Sequence, residues 1–248
     1  MARSESVTQK EQLERAAKQL VQDYEEKIRT FSVREFLKSD VDPFRFSFNV
    51  DAWGLKKAVR KEIEHKLEMA LEDLFGEFHE NYLGNAKHAK SGTQWEKVPK
   101  GQISGVDIAN RKMKAFLQLK SKHNSMNSSS AERLAQQLEK CASNNPGSVV
   151  GCGWVVAGPK RKCIGESNVE KVGKVYKGRE LFEFVTGNEK EMDEVLRDLP
   201  EILQQALKGH DFNTLLDQAA ERVSNALEQQ ARLRSISLAE YLYQMAVK

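Results

Sequence analysis

The chain has 248 residues, 40% hydrophobic and 30% charged, with 39 Lys and Arg against 36 Asp and Glu for a net charge of +3. That profile belongs to an ordinary globular protein, long enough for one large domain or a core with a helical addition. It excludes a membrane-spanning or disulfide-stapled class: no run approaches ~18 apolar residues, and Cys141, Cys152 and Cys163 are odd in number and lack metal-ligand spacing. The polar start at residues 1–6 carries no secretory apolar segment, so a cytoplasmic protein with reduced, packed thiols is expected.

In chain order, Leu13, Ala17, Leu20, Tyr24 and Ile28 recur at helical steps and predict an amphipathic helix over residues 8–30. Asp42 and Pro43 interrupt regular structure, and the alternation of Phe44, Phe46 and Phe48 predicts a short strand or extended segment. A long helix follows over residues 52–83, with Leu55, Val59, Ile63, Leu67, Ala70, Leu74 and Phe78 as its buried stripe and Gly84–Asn85 as its stop. Residues 86–102 read as a loop anchored by Trp95. Residues 105–120 (GVDIANRKMKAFLQLK) read as a hairpin bent at residues 110–113. Ser129 and Glu132 match a capping box opening a helix that turns Leu134, Leu138 and Cys141 inward, and Asn145–Gly147 ends it. A largely buried strand spans residues 148–157. After Gly187 the chain turns acidic, with helices expected over residues 189–208, 213–231 and 238–246. No repeat or low-complexity tract is present. The expected class is α/β: a mixed-sheet core over residues 41–187 in a single domain, with an N-terminal helical extension (1–40) and C-terminal helices (188–248).

The hairpin carries the chemistry. Side chains alternate across a strand, so Gln118 and Lys120 share one face while Leu117 and Leu119 share the other. Asp107 on the neighbouring strand then lies close to an amide and an ammonium. An acid, a second oxygen donor and a lysine on adjoining strands suit metal-assisted cleavage of a phosphodiester. A strand-end Asp, a solvated Gln and a surface Lys are the bland alternative.

Asp107, followed about ten residues later by Gln118-Leu119-Lys120, resembles the PD-(D/E)xK nuclease signature, and residues 121–130 (SKHNSMNSSS) look like those of type II restriction endonucleases. Within these the chain is most similar to the group cutting GGNCC or GGWCC sites, a likeness that spans roughly residues 40–187 and includes residues 41–46 (VDPFRF). Val106 departs from the signature's proline, and Gln118 from its usual Glu or Asp, which removes one negative charge. The resemblance implies a restriction-endonuclease-like core and a magnesium ion held by Asp107, by the side-chain oxygen of Gln118 and by the carbonyl of Leu119. Lys120 would polarise the attacking water and offset charge building on the phosphorane. Relatives of this kind often present a helix glutamate four residues after a glycine, and Glu80 matches that position after Gly76. A helical wheel places Glu80 away from the apolar stripe, so a solvated carboxylate is the competing reading.

Charge is segregated along the chain. Residues 85–179 hold 18 Lys and Arg against 6 Asp and Glu, whereas the remainder hold 21 against 30. Such a basic cluster around the hairpin fits a polyanion, with a solvated surface as the alternative. Lys122 and Asn124 are candidate DNA contacts, as are Lys160, Arg161 and Lys162 in a turn, where phosphate and base contacts are not distinguishable from sequence. The expected function is a magnesium-dependent type II restriction endonuclease that cuts double-stranded DNA at a short palindromic site as a homodimer. A repair or junction nuclease of the same superfamily, or a non-catalytic DNA-binding protein, are the alternatives.

Overall fold

The computed structural model describes residues 8–38, 41–122 and 126–246. In chain order these form α1 (Gln9–Thr30), α2 (Val33–Lys38), α3 (Pro43–Trp53), α4 (Leu55–Leu83), β1 (Glu96–Lys97), β2 (Ile108–Asn110), β3 (Ala115–Lys122), α5 (Ser128–Asn144), β4 (Val149–Val156), α6 (Glu166–Val169), β5 (Lys174–Lys177), α7 (Arg179–Thr186), α8 (Glu191–Ala206), α9 (Phe212–Leu233) and α10 (Leu238–Ala246). Two compact units emerge, one running up to Leu20 and from Phe75 to Leu207, the other from Val21 to Leu74 and from Lys208 onward. No described helix is long and apolar enough to cross a membrane.

The first unit holds a five-stranded sheet in the order β1-β2-β3-β4-β5. Its first three strands pair antiparallel, while β3, β4 and β5 run parallel. A mixed sheet flanked by helices agrees with the expected restriction-endonuclease-like α/β class. The β2–β3 hairpin forms where the sequence placed it, with Ile108 opposite Leu117 and Asn110 opposite Ala115. Its bend is held by the fully buried Asn110, whose Oδ1 accepts from the Met113 amide at 3.1 Å and whose Nδ2 donates to Thr93 Oγ1 at 2.8 Å. Lys114, at φ 51, takes the left-handed turn position.

Helix α5 is the connection that lets β4 return parallel to β3, and its inward residues Leu134, Leu138 and Cys141 pack with Phe116, Val150, Cys152 and Trp154. Its cap differs from the expected Ser129 box. Asn127 accepts from the Ser130 amide at 2.9 Å, so the helix starts two residues earlier and a carboxamide oxygen, in place of the Ser129 hydroxyl, takes the first-turn donor. All three cysteines are buried and free, as expected. The 86–102 segment is more ordered than a loop. Trp95 is buried with its ring centroid 5.9 Å from that of Phe184, and the two residues after it form β1, paired along the edge of β2.

The second unit is helical, with Ile28, Phe36, Phe46, Val59, Ile63, Leu67, Leu216, Val223 and Leu227 in one apolar core. Here the sequence reading of an extended segment at Phe44–Phe48 is overturned: these residues lie in α3. Asp42 caps it, accepting from Phe44 N at 2.9 Å and Arg45 N at 3.2 Å, and Pro43 takes the first helical position. Asp-Pro thus starts a helix rather than breaking one, since the missing proline N–H is one that a first turn leaves unbonded anyway. The long helix expected from residue 52 instead begins at Leu55, after Gly54 at φ 81 ends α3. The three C-terminal helices appear within two residues of their expected limits.

Two glycines let β4 sit close to its neighbours, β5 on one side and α7 over its face. A Cβ on Gly151 would lie 2.3 Å from the Lys174 carbonyl oxygen, and one on Gly153 would lie 2.4 Å from Leu181 Cδ1. The first collision is with backbone and has no cheap escape. Gly151→Ala is therefore expected to lower the denaturant midpoint, with a loss of about 1–3 kcal/mol. An unchanged midpoint would show that β4 and β5 pair less closely than described.

Candidate active site

Asp107 directly precedes β2 and is bracketed by backbone bonds: its amide donates to Leu117 O at 2.9 Å, and its carbonyl accepts from Val98 N at 2.8 Å. The side chain is thereby aimed at β3. Its Oδ2 accepts the Leu119 amide at 2.8 Å and is also bonded by Gln118 Nε2. That nitrogen lies 3.5 Å from the Leu119 carbonyl oxygen as well. Asp107, Gln118 and the Leu119 carbonyl, three of the sequence-derived positions, are thus brought together.

Lys120 sits two residues along β3 from Gln118 and is half-buried. Among the described residues it forms no ion pair, yet its charge acts to lower the Asp107 pKa. That lowering does not prevail. Burial pushes Asp107 up to about 6, helped by the negative charge of Glu80 and opposed by the Leu119 amide, Lys120 and Lys97.

Glu80 is not the solvated carboxylate that the helical wheel allowed. Its side chain is 17% exposed, and Oε2 lies 3.3 Å from Lys97 Nζ. Lys97 donates in turn to Asn81 Oδ1 at 2.9 Å. One turn earlier on α4, Glu77 Oε1 lies 3.3 Å from Lys100 Nζ, and this raises the lysine's pKa, with further help from Glu80 and Asp107. Helix α4 also meets β3 at His79, whose Nδ1 is 3.4 Å from Ser121 Oγ. Burial holds His79 down to about 4, so the ring is neutral near pH 7. The pairing of Lys97 with Glu80 and the His79–Ser121 contact escaped the sequence reading. The only signal in the chain was that Lys97 lies in a basic segment and Glu80 in an acidic helix, which specifies no partner.

The oxygens of Asp107, Gln118 and the Leu119 main chain, with Glu80 near enough to act on the Asp107 charge, are hard donors by chemistry. Among the described residues no three His, Cys, Asp or Glu side chains gather as a metal cluster. Magnesium nevertheless fits the residues present, because it keeps several waters and binds through one or two carboxylates plus a substrate phosphate. The strongest indication is Asp107 itself, a carboxylate kept from water with too little positive charge around it to hold its pKa down. As oriented, Gln118 offers its NH2 to Asp107, and a half-turn of the terminal amide would offer Oε1 instead.

Among the described residues the DNA-contact candidates lie in two places. Lys122 ends β3 and is exposed, while Asn124 falls outside the described residues. Lys160, Arg161 and Lys162 are exposed in the turn after β4. That turn is anchored from beneath: Lys177 Nζ donates to Arg161 O at 3.0 Å and pairs with Glu166, and Glu166 Oε2 accepts Cys163 N at 2.8 Å. The Lys177 and Glu166 side chains are only 10% and 13% exposed. Lys97 and Lys177 of the basic segment are therefore partners of withdrawn carboxylates rather than part of an outward-facing basic surface.

The raised Asp107 pKa has a signed consequence for stability. Between the unfolded value of 3.8 and the folded value of about 6 the folded chain binds more protons, so stability falls as pH rises through this window. Asp107→Asn removes that dependence. In chelator, the variant should gain on the wild type as pH rises from 4 to 6 and hold an advantage of about 1–3 kcal/mol above it. Parallel stability profiles for the two proteins would contradict a buried, undercompensated carboxylate.

A model of the Eco47II restriction endonuclease family matches residues 6–208, which takes in the sheet, Asp107, Gln118, Lys120 and the helix bearing Glu80. No curated protein matches the chain. The match covers most of the sequence, so the chain belongs to the Eco47II restriction endonuclease family, and is a type II restriction enzyme whose substrate is DNA.

Proposed function

We propose that the enzyme hydrolyses double-stranded DNA at a short palindromic site in a magnesium-dependent reaction, as a PD-(D/E)xK nuclease of the group that cuts GGNCC or GGWCC sites. The single observation that supports this reading best is the gathering of Gln118 and the Leu119 main chain on Asp107, a buried carboxylate whose pKa is raised by burial and by the negative charge of Glu80. Asp107, Glu80, the Leu119 carbonyl and Gln118 would hold the ion. Magnesium, when bound, supplies Lewis acidity toward the phosphate and neutralises charge developing in the transition state.

The remaining steps belong to the chain's own groups. Lys120 holds the attacking water and places a compact positive charge near the phosphorane. Asp107 is kept in place by the Leu119 amide, so its carboxylate needs no reorganisation when the substrate arrives. Lys122, Asn124 and the 160–162 turn grip DNA, chiefly at phosphates. A palindromic site calls for a two-fold dimer in which each protomer cuts one strand, and a restriction enzyme of this kind acts in the cytoplasm.

Plasmid incubated with the protein and magnesium should yield discrete fragments, with Asp107→Ala and Lys120→Ala each slowing cleavage by at least ~100-fold. Random nicking would instead indicate a repair or junction nuclease, and intact but gel-shifted DNA a non-catalytic binder. Replacing Lys160, Arg161 and Lys162 together by Gln should weaken DNA binding and reduce the slope of log K against log salt by about 0.9 for each phosphate that the turn no longer neutralises. An unchanged slope would remove the turn from the interface.

A further inference from the structure

Lys97 occupies an unusual place for a residue of a basic surface. It sits in β1 opposite Ile108, one residue on from Asp107, and its ammonium turns inward to Glu80 and Asn81 rather than outward. Its side chain is 33% exposed, against 85% for Lys100 in the neighbouring pair with Glu77. Glu80 is therefore answered by a lysine from the sheet edge, whose charge also acts on Asp107.

We propose that Lys97 is the resident counter-ion of the metal site, neutralising Glu80 while no divalent cation is bound and competing with the cation for that carboxylate. The proposal rests on the magnesium reading above and concerns how that site is kept folded and selective before the ion arrives. Half-buried like charges on Glu80 and Asp107 repel one another, and without Lys97 the metal-free chain would meet that repulsion only with Lys120 and the Leu119 amide at Asp107 and the largely exposed Lys100. A divalent ion must then displace the ammonium from Glu80. Binding of the two cations is mutually exclusive at one carboxylate, so each weakens the other by the same factor. Such competition raises the concentration of metal needed to occupy the site.

The test uses the full chain, without DNA, and calcium alone as titrant, followed by calorimetry. Lys97→Met should bind calcium about three- to tenfold more tightly than the wild type, the size expected when a partly exposed ion pair is removed from competition. Lys97→Arg, which keeps the charge, should retain wild-type affinity. Lys112→Met, exposed at the hairpin bend, should do the same and so controls for net charge. In chelator Lys97→Met should melt below the wild type, and calcium should raise its melting temperature by more. Equal calcium affinity in Lys97→Met and wild type, or an equal gain in Lys112→Met, overturns the counter-ion role even while Asp107→Ala abolishes binding. A wild-type chain that takes up no calcium, or an Asp107→Ala chain that binds as the wild type does, overturns the magnesium reading itself and the inference with it.

Discussion

A carboxylate withdrawn from water without a matching cation is the constraint on which the site depends. Asp107 is held there by hydrogen bonds that serve the sheet as well as the site: its main chain bonds to Leu117 and Val98, and its Oδ2 receives the Leu119 amide. Moving the carboxylate would therefore disturb the pairing of three strands. Burial outweighs the nearby lysines and pushes its pKa up to about 6. Such a shift in a folded chain is consistent with a group whose partner arrives from outside.

The basic residues of the central segment divide into two kinds. Lys97, Lys100 and Lys177 are paired with Glu80, Glu77 and Glu166, the first two near Asp107 and the third under the turn after β4. Lys160, Arg161 and Lys162 are exposed, and they project from a turn stiffened by the Lys177–Glu166 pair. A buried ion pair is weak support for overall stability, but it is well suited to fixing a loop's conformation, since breaking either half leaves a charge in a poor environment. The neutral Gln118 belongs to the same electrostatic arrangement. A carboxylate there would add a third negative charge beside Asp107 and Glu80, whereas the amide donates to Asp107 and relieves it.

The sheet and its helices were largely legible because period-two and period-3.6 patterns record which faces are buried. The alternation through Ala115–Lys122 marked β3, and Leu134, Leu138 and Cys141 marked the inner face of α5. The pattern misled at Phe44, Phe46 and Phe48, where alternation of three aromatics mimicked a strand while the Asp42 cap and Pro43 dictated a helix. β1 was missed because two residues show no period at all, and its position follows from pairing with β2. The α5 cap was displaced because Ser, Asn and Glu in that stretch offer several first-turn acceptors of similar quality.

By itself the sequence determined the hairpin, the sharing of a face by Gln118 and Lys120, and the proximity of Asp107, because strand geometry ties side-chain direction to position along the chain. Only the tertiary structure decided that Glu80 turns toward β1, that Lys97 is its partner there, and that His79 meets Ser121. These contacts join residues from a helix and from strands that follow it. No periodicity specifies them, since the rotation of a helix about its own axis is set by packing across its whole apolar face rather than by any one residue.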